Sequence, residues 1–196
     1  MSTYAERFIK SRGESAVIER TPLVNTKVSI KRSTRSARDL GQREAYWEGI
    51  IPIKNNLQSG EYITIRGSKH LVQSVNFDKE CLEIAFFATK CNCVIKHQRE
   101  VEIGVDEWNQ IIKEWRDVNP AFADIPSYCE IVTYRMRQED PGLLNTTKYT
   151  FQLPKSINVQ LLDRIVYNNE KLRVDSINDL GLVGVVIVQV TDDVRP

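Results

Sequence analysis

Apolar and polar positions alternate along most of this chain, and the period is two far more often than three to four. From Trp47 the pattern reads as strand. WEGIIPI is followed by the turn region KNNLQSG, and YITIR meets HLVQSV through a tight Gly67-Ser68 turn. A glycine there supplies the positive φ that a hairpin needs. CLEIAFFATK and CNCVIKHQ continue the strands. Upstream, residues 3–12 (TYAERFIKSR) place Tyr4, Phe8 and Ile9 on one helical face, and Gly13 stops that turn. Leu23 to Ile30 reads as a strand, and Lys31 to Arg43 as a long exposed polar loop. Residues 105–118 differ in kind. Val105, Trp108, Ile111, Ile112 and Trp115 follow helical spacing, Asp106 and Glu107 suit a helix N-terminus, and Asn119-Pro120 ends the segment. Beyond it the β pattern resumes through IVTYRMR, the loop QEDPGLLNTT, YTFQLP, DRIVYNNEKLRVDSIN and LVGVVIVQV.

The second β region repeats the first. Ser74-Val75-Asn76 matches Ser176-Ile177-Asn178, and an offset of 102 aligns residues 47–78 with 149–180 without gaps. Eight positions are then identical: Pro52/Pro154, Asn56/Asn158, Gln58/Gln160, Ile63/Ile165, Lys69/Lys171, Val72/Val174, Ser74/Ser176 and Asn76/Asn178. Trp47 matches Tyr149 at a strand start. Arg66-Gly67 matches Asn168-Asn169, both pairs that tolerate left-handed geometry. Each copy reads as helix, strand, long polar loop, then a set of strands. Short strand-rich units close into small barrels because closure removes exposed edges. The expectation is a mainly β protein with a few helices: two tandem small SH3-like or Greek-key β-barrels joined by a helix. The first would span residues 1–103 with loop 31–43, and the second 104–196 with connector helix 105–118 and loop 135–147.

Composition adds few constraints. The 196 residues suit one or two domains and can bury a core without staples. A net charge of +1 argues against wholesale binding to nucleic acid or acidic membranes. The longest apolar stretch, residues 181–190, is half the ~20 residues that span a bilayer. The N-terminus has no apolar core of a signal peptide, so Cys81, Cys91, Cys93 and Cys129 are expected as free thiols.

Candidate chemistry is sparse. His70 opens one hairpin strand and His97 ends another, and both read as surface or edge residues. Cys91-Asn-Cys93 puts two thiols on one strand face but lacks the C-x2–4-C pairs of structural zinc. Asp192-Asp193, Glu139-Asp140 and Asp163 near Asp175 read as solvated carboxylates at turns and strand ends. No phosphate-loop, dinucleotide, metalloprotease or nucleophile-elbow motif occurs. The expectation is a protein without catalytic residues, cofactor or metal. One tract stands out: Lys31, Arg32, Arg35, Arg38 and Arg43 face a single acid, Asp39. It suits sequence-independent contact with phosphates, or a solvated or partner-docking loop.

The segment from Ser59 to Asn92, SGEYITIRGSKHLVQSVNFDKECLEIAFFATKCN, resembles small head-completion proteins of tailed bacteriophages, also called head-closure, stopper or head–tail joining proteins. The shared pattern runs through Gly60, Tyr62–Ile65, Gly67-Ser68, Leu71–Val75 and Leu82–Phe87. It recurs through Asp163–Tyr167, Asn168-Asn169 and Leu172–Ile177. Typical members have one barrel, whereas this chain has two. The resemblance implies a non-enzymatic virion protein of the neck, assembled in the host cytoplasm as a six- or twelve-fold ring. Its partners would be portal or adaptor rings and tail proteins, and the packaged DNA by non-specific contact, with no membrane. By the same resemblance Lys31, Arg32, Arg35, Arg38 and Arg43 would contact DNA or a partner. Arg135, Arg137, Glu139 and Asp140 would contact a neighbour in the ring. Two other roles are open: tail terminator or completion protein, and a tandem-barrel module for nucleic acid.

Overall fold

The computed structural model describes residues 4–33, 44–78, 82–118 and 124–195. Its core elements are strands. Helix α1 (Tyr4–Arg12) leads into β1 (Glu14–Ile18), β2 (Val24–Arg32), β3 (Tyr46–Pro52), β4 (Tyr62–Ile65), β5 (Ser68–Asp78) and β6 (Glu83–Lys90). These six strands close into a barrel in the order β1-β2-β3-β6-β5-β4. Pairing of Ile18 with Ile63 and of Ala16 with Ile65 seals the seam. Every strand is antiparallel to its neighbours, so alternate side chains face inward. Ile18, Val28, Ile51, Leu57, Ile63, Val72, Ile84 and Ala88 fill the interior at 0% exposure. α1 ends as expected, where the Gly13 amide donates to the Ile9 carbonyl at 2.8 Å. Ile9 is buried, but Phe8 is exposed, so the apolar face of α1 is narrower than its spacing suggests.

The second barrel uses β7 (Cys93–Val105), β9 (Ile125–Ile131), β10 (Tyr149–Pro154), β11 (Arg164–Tyr167), β12 (Glu170–Asn178) and β13 (Val185–Asp192). Their order is β11-β12-β13-β10-β9-β7, and a β11–β7 pairing closes it. This is the first barrel's order strand for strand. β3 to β6 map onto β10 to β13 at the offset of 102, and both β5 and β12 carry a bulge at the matching place, Val72/Ser74 and Val174/Ser176. Pairing extends the match. Ile18 lies against Ile63 as His97 lies against Ile165, a shift of 79. Arg32 lies against Trp47 as Ile131 lies against Tyr149, a shift of 99. The second copy therefore carries 20 extra residues between its first two strands.

Those residues are where the sequence reading fails. Residues 105–118 are not a helix: β7 runs on to Val105, turns, and returns as β8 (Ile111–Asp117). Asp106 Oδ1 accepts from the amides of Trp108 and Gln110, both at 2.8 Å, and Asn109 adopts a left-handed φ of 59°. An Asx-type turn thus competes successfully with a helix start. Val101, Ile103, Val105, Ile111 and Ile112 are β-branched and favour the ribbon. The expected boundary at 103/104 falls inside β7.

Two compact units divide the chain. One comprises Met1–Asn92, Leu153–Ser156 and Asp179–Val186; the other comprises Cys93–Gln152, Ile157–Asn178 and Ile187–Pro196. The segment after β9 also departs from expectation. It forms a short helix, α2 (Tyr134–Glu139), capped by Thr133, whose hydroxyl accepts from the Met136 amide at 3.3 Å.

Candidate functional site

Each barrel carries a carboxylate clasp just before its fourth strand. In the first, Glu61 Oε2 accepts from the Gln58 amide at 2.8 Å and pairs with Arg20 at 3.0 Å. Arg20 also reaches the Asn56 carbonyl at 3.2 Å. In the second, Asp163 Oδ2 accepts from the Gln160 amide at 2.7 Å and pairs with Arg99, which reaches the Asn158 carbonyl at 2.9 Å. Asn56 and Asn158 both sit in left-handed geometry, which explains why that residue type recurs at this turn.

The carboxylate Asp163 is a correction to the sequence reading. It is buried at 3% exposure, not solvated. Burial opposes its charge, yet hydrogen bonds from Arg99, His97 and the Gln160 amide hold its carboxyl at about 2. Ionised, it is acceptor-only, so the proton in the 2.7 Å contact belongs to His97 Nε2. Asp193 repeats the theme. Its side chain is 1% exposed and meets Arg164 and Arg195, each at 2.8 Å. Desolvation again opposes the charge, and the two arginines bring the carboxyl to about 2. Trp115 lies against both guanidiniums, 3.8 Å from Arg164 and 4.7 Å from Arg195. Both networks hold strands and turns together.

The two histidines are also buried, at 3% for His70 and 2% for His97, which corrects their expected edge placement. Both stand at inward-facing positions of the alternation, and His97 is not at a strand end, because β7 runs on to Val105. Cys91 precedes β7 and Cys93 opens it, so they do not share a strand. Among the described residues Cys91, Cys93 and Cys129 form no disulfide, Cys93 donates to the Ser127 carbonyl at 3.3 Å, and Cys81 lies outside the described residues. Among the described residues no group of three or more His, Cys, Asp or Glu is placed to hold a metal ion, and no helix is long and apolar enough to cross a membrane.

Of the basic tract, Lys31 and Arg32 form the end of β2. Lys31 pairs with Glu48 at 3.1 Å, and Arg32 meets Glu44 at 3.6 Å and lies over Trp47 at 5.7 Å. Arg35, Arg38 and Arg43 lie outside the described residues. In α2, Arg135 pairs with Glu139 at 2.8 Å. Arg137 donates to the Thr147 carbonyl at 2.8 Å, and Asp140 Oδ1 accepts from the Gly142 amide at 2.9 Å. Arg137 and Asp140 thus hold their own loop in shape.

Sequence reasoning missed a cleft in the first barrel. Ile30, Trp47 and Ile65 give it an apolar lining, and Arg32, Arg66 and Lys90 give it charge, in a volume of about 190 Å³. His70 also lines it. Burial, the largest influence, pushes the His70 pKa down, with nearby Lys90 adding to the effect, while backbone hydrogen bonds at Ser68 and Ile63 oppose it. Neutral His70 donates from Nδ1 to the Ser68 carbonyl at 3.0 Å, which leaves Nε2 as an acceptor. That Nε2 is buried and has no hydrogen-bond partner. A larger open groove of about 710 Å³ lies along β2, β3, β5 and β6, floored by Phe86 packed on Gly49. The β7–β8 hairpin is the other exposed feature: Ile103, Val105, Trp108, Ile111 and Ile112 are all exposed, Trp108 to 82%.

Comparison with family models and with curated protein sequences returned no match.

Proposed function

We propose that this protein is a structural component of a tailed-phage virion, forming a ring at the head–tail junction that closes the DNA channel or seats the tail. The observation that carries the reading is the tandem closed barrel with a long connection between its second and third strands in both copies. The connection between the first and second strands of the second barrel bears the β7–β8 hairpin. The connections between second and third strands bear the basic tract in one copy and α2 in the other. A closed barrel with long connections at the two ends of its second strand is built to present surfaces to partners. The strand pattern of residues 60–87, and its repeat at 163–177, supports the neck family among such scaffolds. In this reading Lys31, Arg32, Arg35, Arg38 and Arg43 meet DNA or an adjoining ring, and α2 presents Arg135 and Glu139 to a neighbour. Portal or adaptor rings lie on one side and tail proteins on the other.

The test is a nonsense mutation in this gene in its parent phage, with the lysate viewed by negative-stain electron microscopy. Capsids and finished tails accumulating unjoined is the expected result. Intact infectious virions in normal number would overturn the reading and favour a nucleic-acid-binding module.

A further inference from the structure

The hairpin has no counterpart in the first barrel. Among the described residues, β7 beyond Gln98 pairs only with β8. Ile111 and Ile112 are consecutive, so by strand alternation they point to opposite faces, and both are exposed. A two-stranded ribbon with apolar side chains on both faces is marginal in water by itself and marks a contact surface. Its tip is acidic, Asp106-Glu107, immediately before Trp108.

The cleft in the first barrel complements that tip in two independent ways. Its apolar lining and its volume of about 190 Å³ suit one large aromatic side chain. Arg32, Arg66 and Lys90 outnumber the single acid that lines it, Glu14. The side chains of Arg32 and Arg66 are 60% and 70% exposed, and their pairings with Glu44 and Glu14 are surface pairs that bind weakly.

We propose that the hairpin tip of one copy docks in this cleft on a second copy of the chain. The Trp108 ring covers Ile30, Trp47 and Ile65. Asp106 and Glu107 meet Arg32, Arg66 and Lys90. The contact joins different surfaces on the two copies, so it propagates head to tail, and rings or filaments follow. It deepens the ring reading by naming the seam, and it rests on that reading for closure.

Sedimentation velocity of the full chain, from micromolar to near-millimolar concentration, tests this. The wild-type chain is expected to self-associate. Trp108→Ala, at a site too exposed to unfold the protein, is expected to weaken association by about thirtyfold or more. Glu107→Lys and Lys90→Glu are each expected to weaken it alone. Their equimolar mixture is expected to recover, because one copy keeps an intact cleft and the other an intact tip. A wild-type chain that stays monomeric throughout, or a Trp108→Ala chain that associates like wild type, overturns the proposal. Association through this contact alongside normal virions from the nonsense mutant would remove the neck reading and keep the seam. Unjoined capsids and tails alongside a Trp108→Ala chain that still assembles would do the reverse.

Discussion

Ile18 and His97 occupy the same place in the two barrels: Ile18 pairs with Ile63 at one seam and His97 with Ile165 at the other. His70 and Leu172 form a second such pair, since His70 lies against Ile63 and Leu172 against Ile165. Each barrel thus holds one buried histidine where the other holds an aliphatic residue. Each ring has one nitrogen bonded and one buried without a partner. His97 donates from Nε2 to Asp163 and its Nδ1 is bare, while His70 donates from Nδ1 to the Ser68 carbonyl and its Nε2 is bare.

His70→Leu is expected to fold with unchanged or higher Tm, because Leu172 already fills the equivalent position at 0% exposure. Burial holds the folded pKa of His70 below the unfolded value near 6.5. Its contribution to stability is therefore present above about pH 6.5 and is lost as the pH falls through the folded pKa. Urea denaturation at a series of pH values should show that slope in the wild-type chain and a flatter one in His70→Leu. An unchanged slope would place the titration elsewhere.

Asp163→Asn is expected to destabilise the second barrel by about 3 kcal/mol, because it leaves His97 and Arg99 facing a neutral amide in a buried site. The folded pKa of Asp163 is lowered to about 2, so its contribution is fully present above the unfolded value of about 3.9 and is lost as the pH falls toward 2. Asp193 behaves the same way. Acid titration followed by circular dichroism should show a transition in the wild-type chain that is shallower in Asp163→Asn.

Trp115→Ala is expected to cost about 2 kcal/mol, because the ring covers the guanidiniums of Arg164 and Arg195 at the base of the hairpin. Hydrogen exchange should quicken along β8 and near Arg195. Protection equal to the wild type would show that the β7–β8 ladder alone anchors the ribbon.

Gly184→Ala is expected to destabilise the first compact unit by about 2 kcal/mol. A methyl group there would overlap the Ser59 carbonyl and come within 2.6 Å of the Gly60 amide nitrogen, so backbone must shift. Thermal denaturation compared with Gly67→Ala separates crowding from conformation. Gly67 needs a φ of 74° but has open space around it.

Much of the fold was legible because alternation with period two is a local property. The hairpin from Tyr62 to Asp78, the repeat at an offset of 102 and the turn pairs Arg66-Gly67 and Asn168-Asn169 all follow from residue order. β1 escaped notice because five residues, Glu14–Ile18, are too few to show a period. The ribbon at 105–117 was misread because Val105, Trp108, Ile111, Ile112 and Trp115 fit a helical face as well as a hairpin. The arbiter was the Asp106 turn, whose two amide contacts exist only once the chain has reversed.

The sequence by itself determined two copies of a strand-rich unit and the turns that punctuate them, since φ preferences and alternation act over a few residues. Tertiary structure alone decided which polar groups went inside. Burial of Asp163 and Asp193 depends on arginines 64 and 29 residues distant in the chain, brought together by closure. The same closure drew Trp47, Ile65, His70 and Lys90 around one cleft. Such convergence leaves no periodic trace, because the pairing of distant strands sets it.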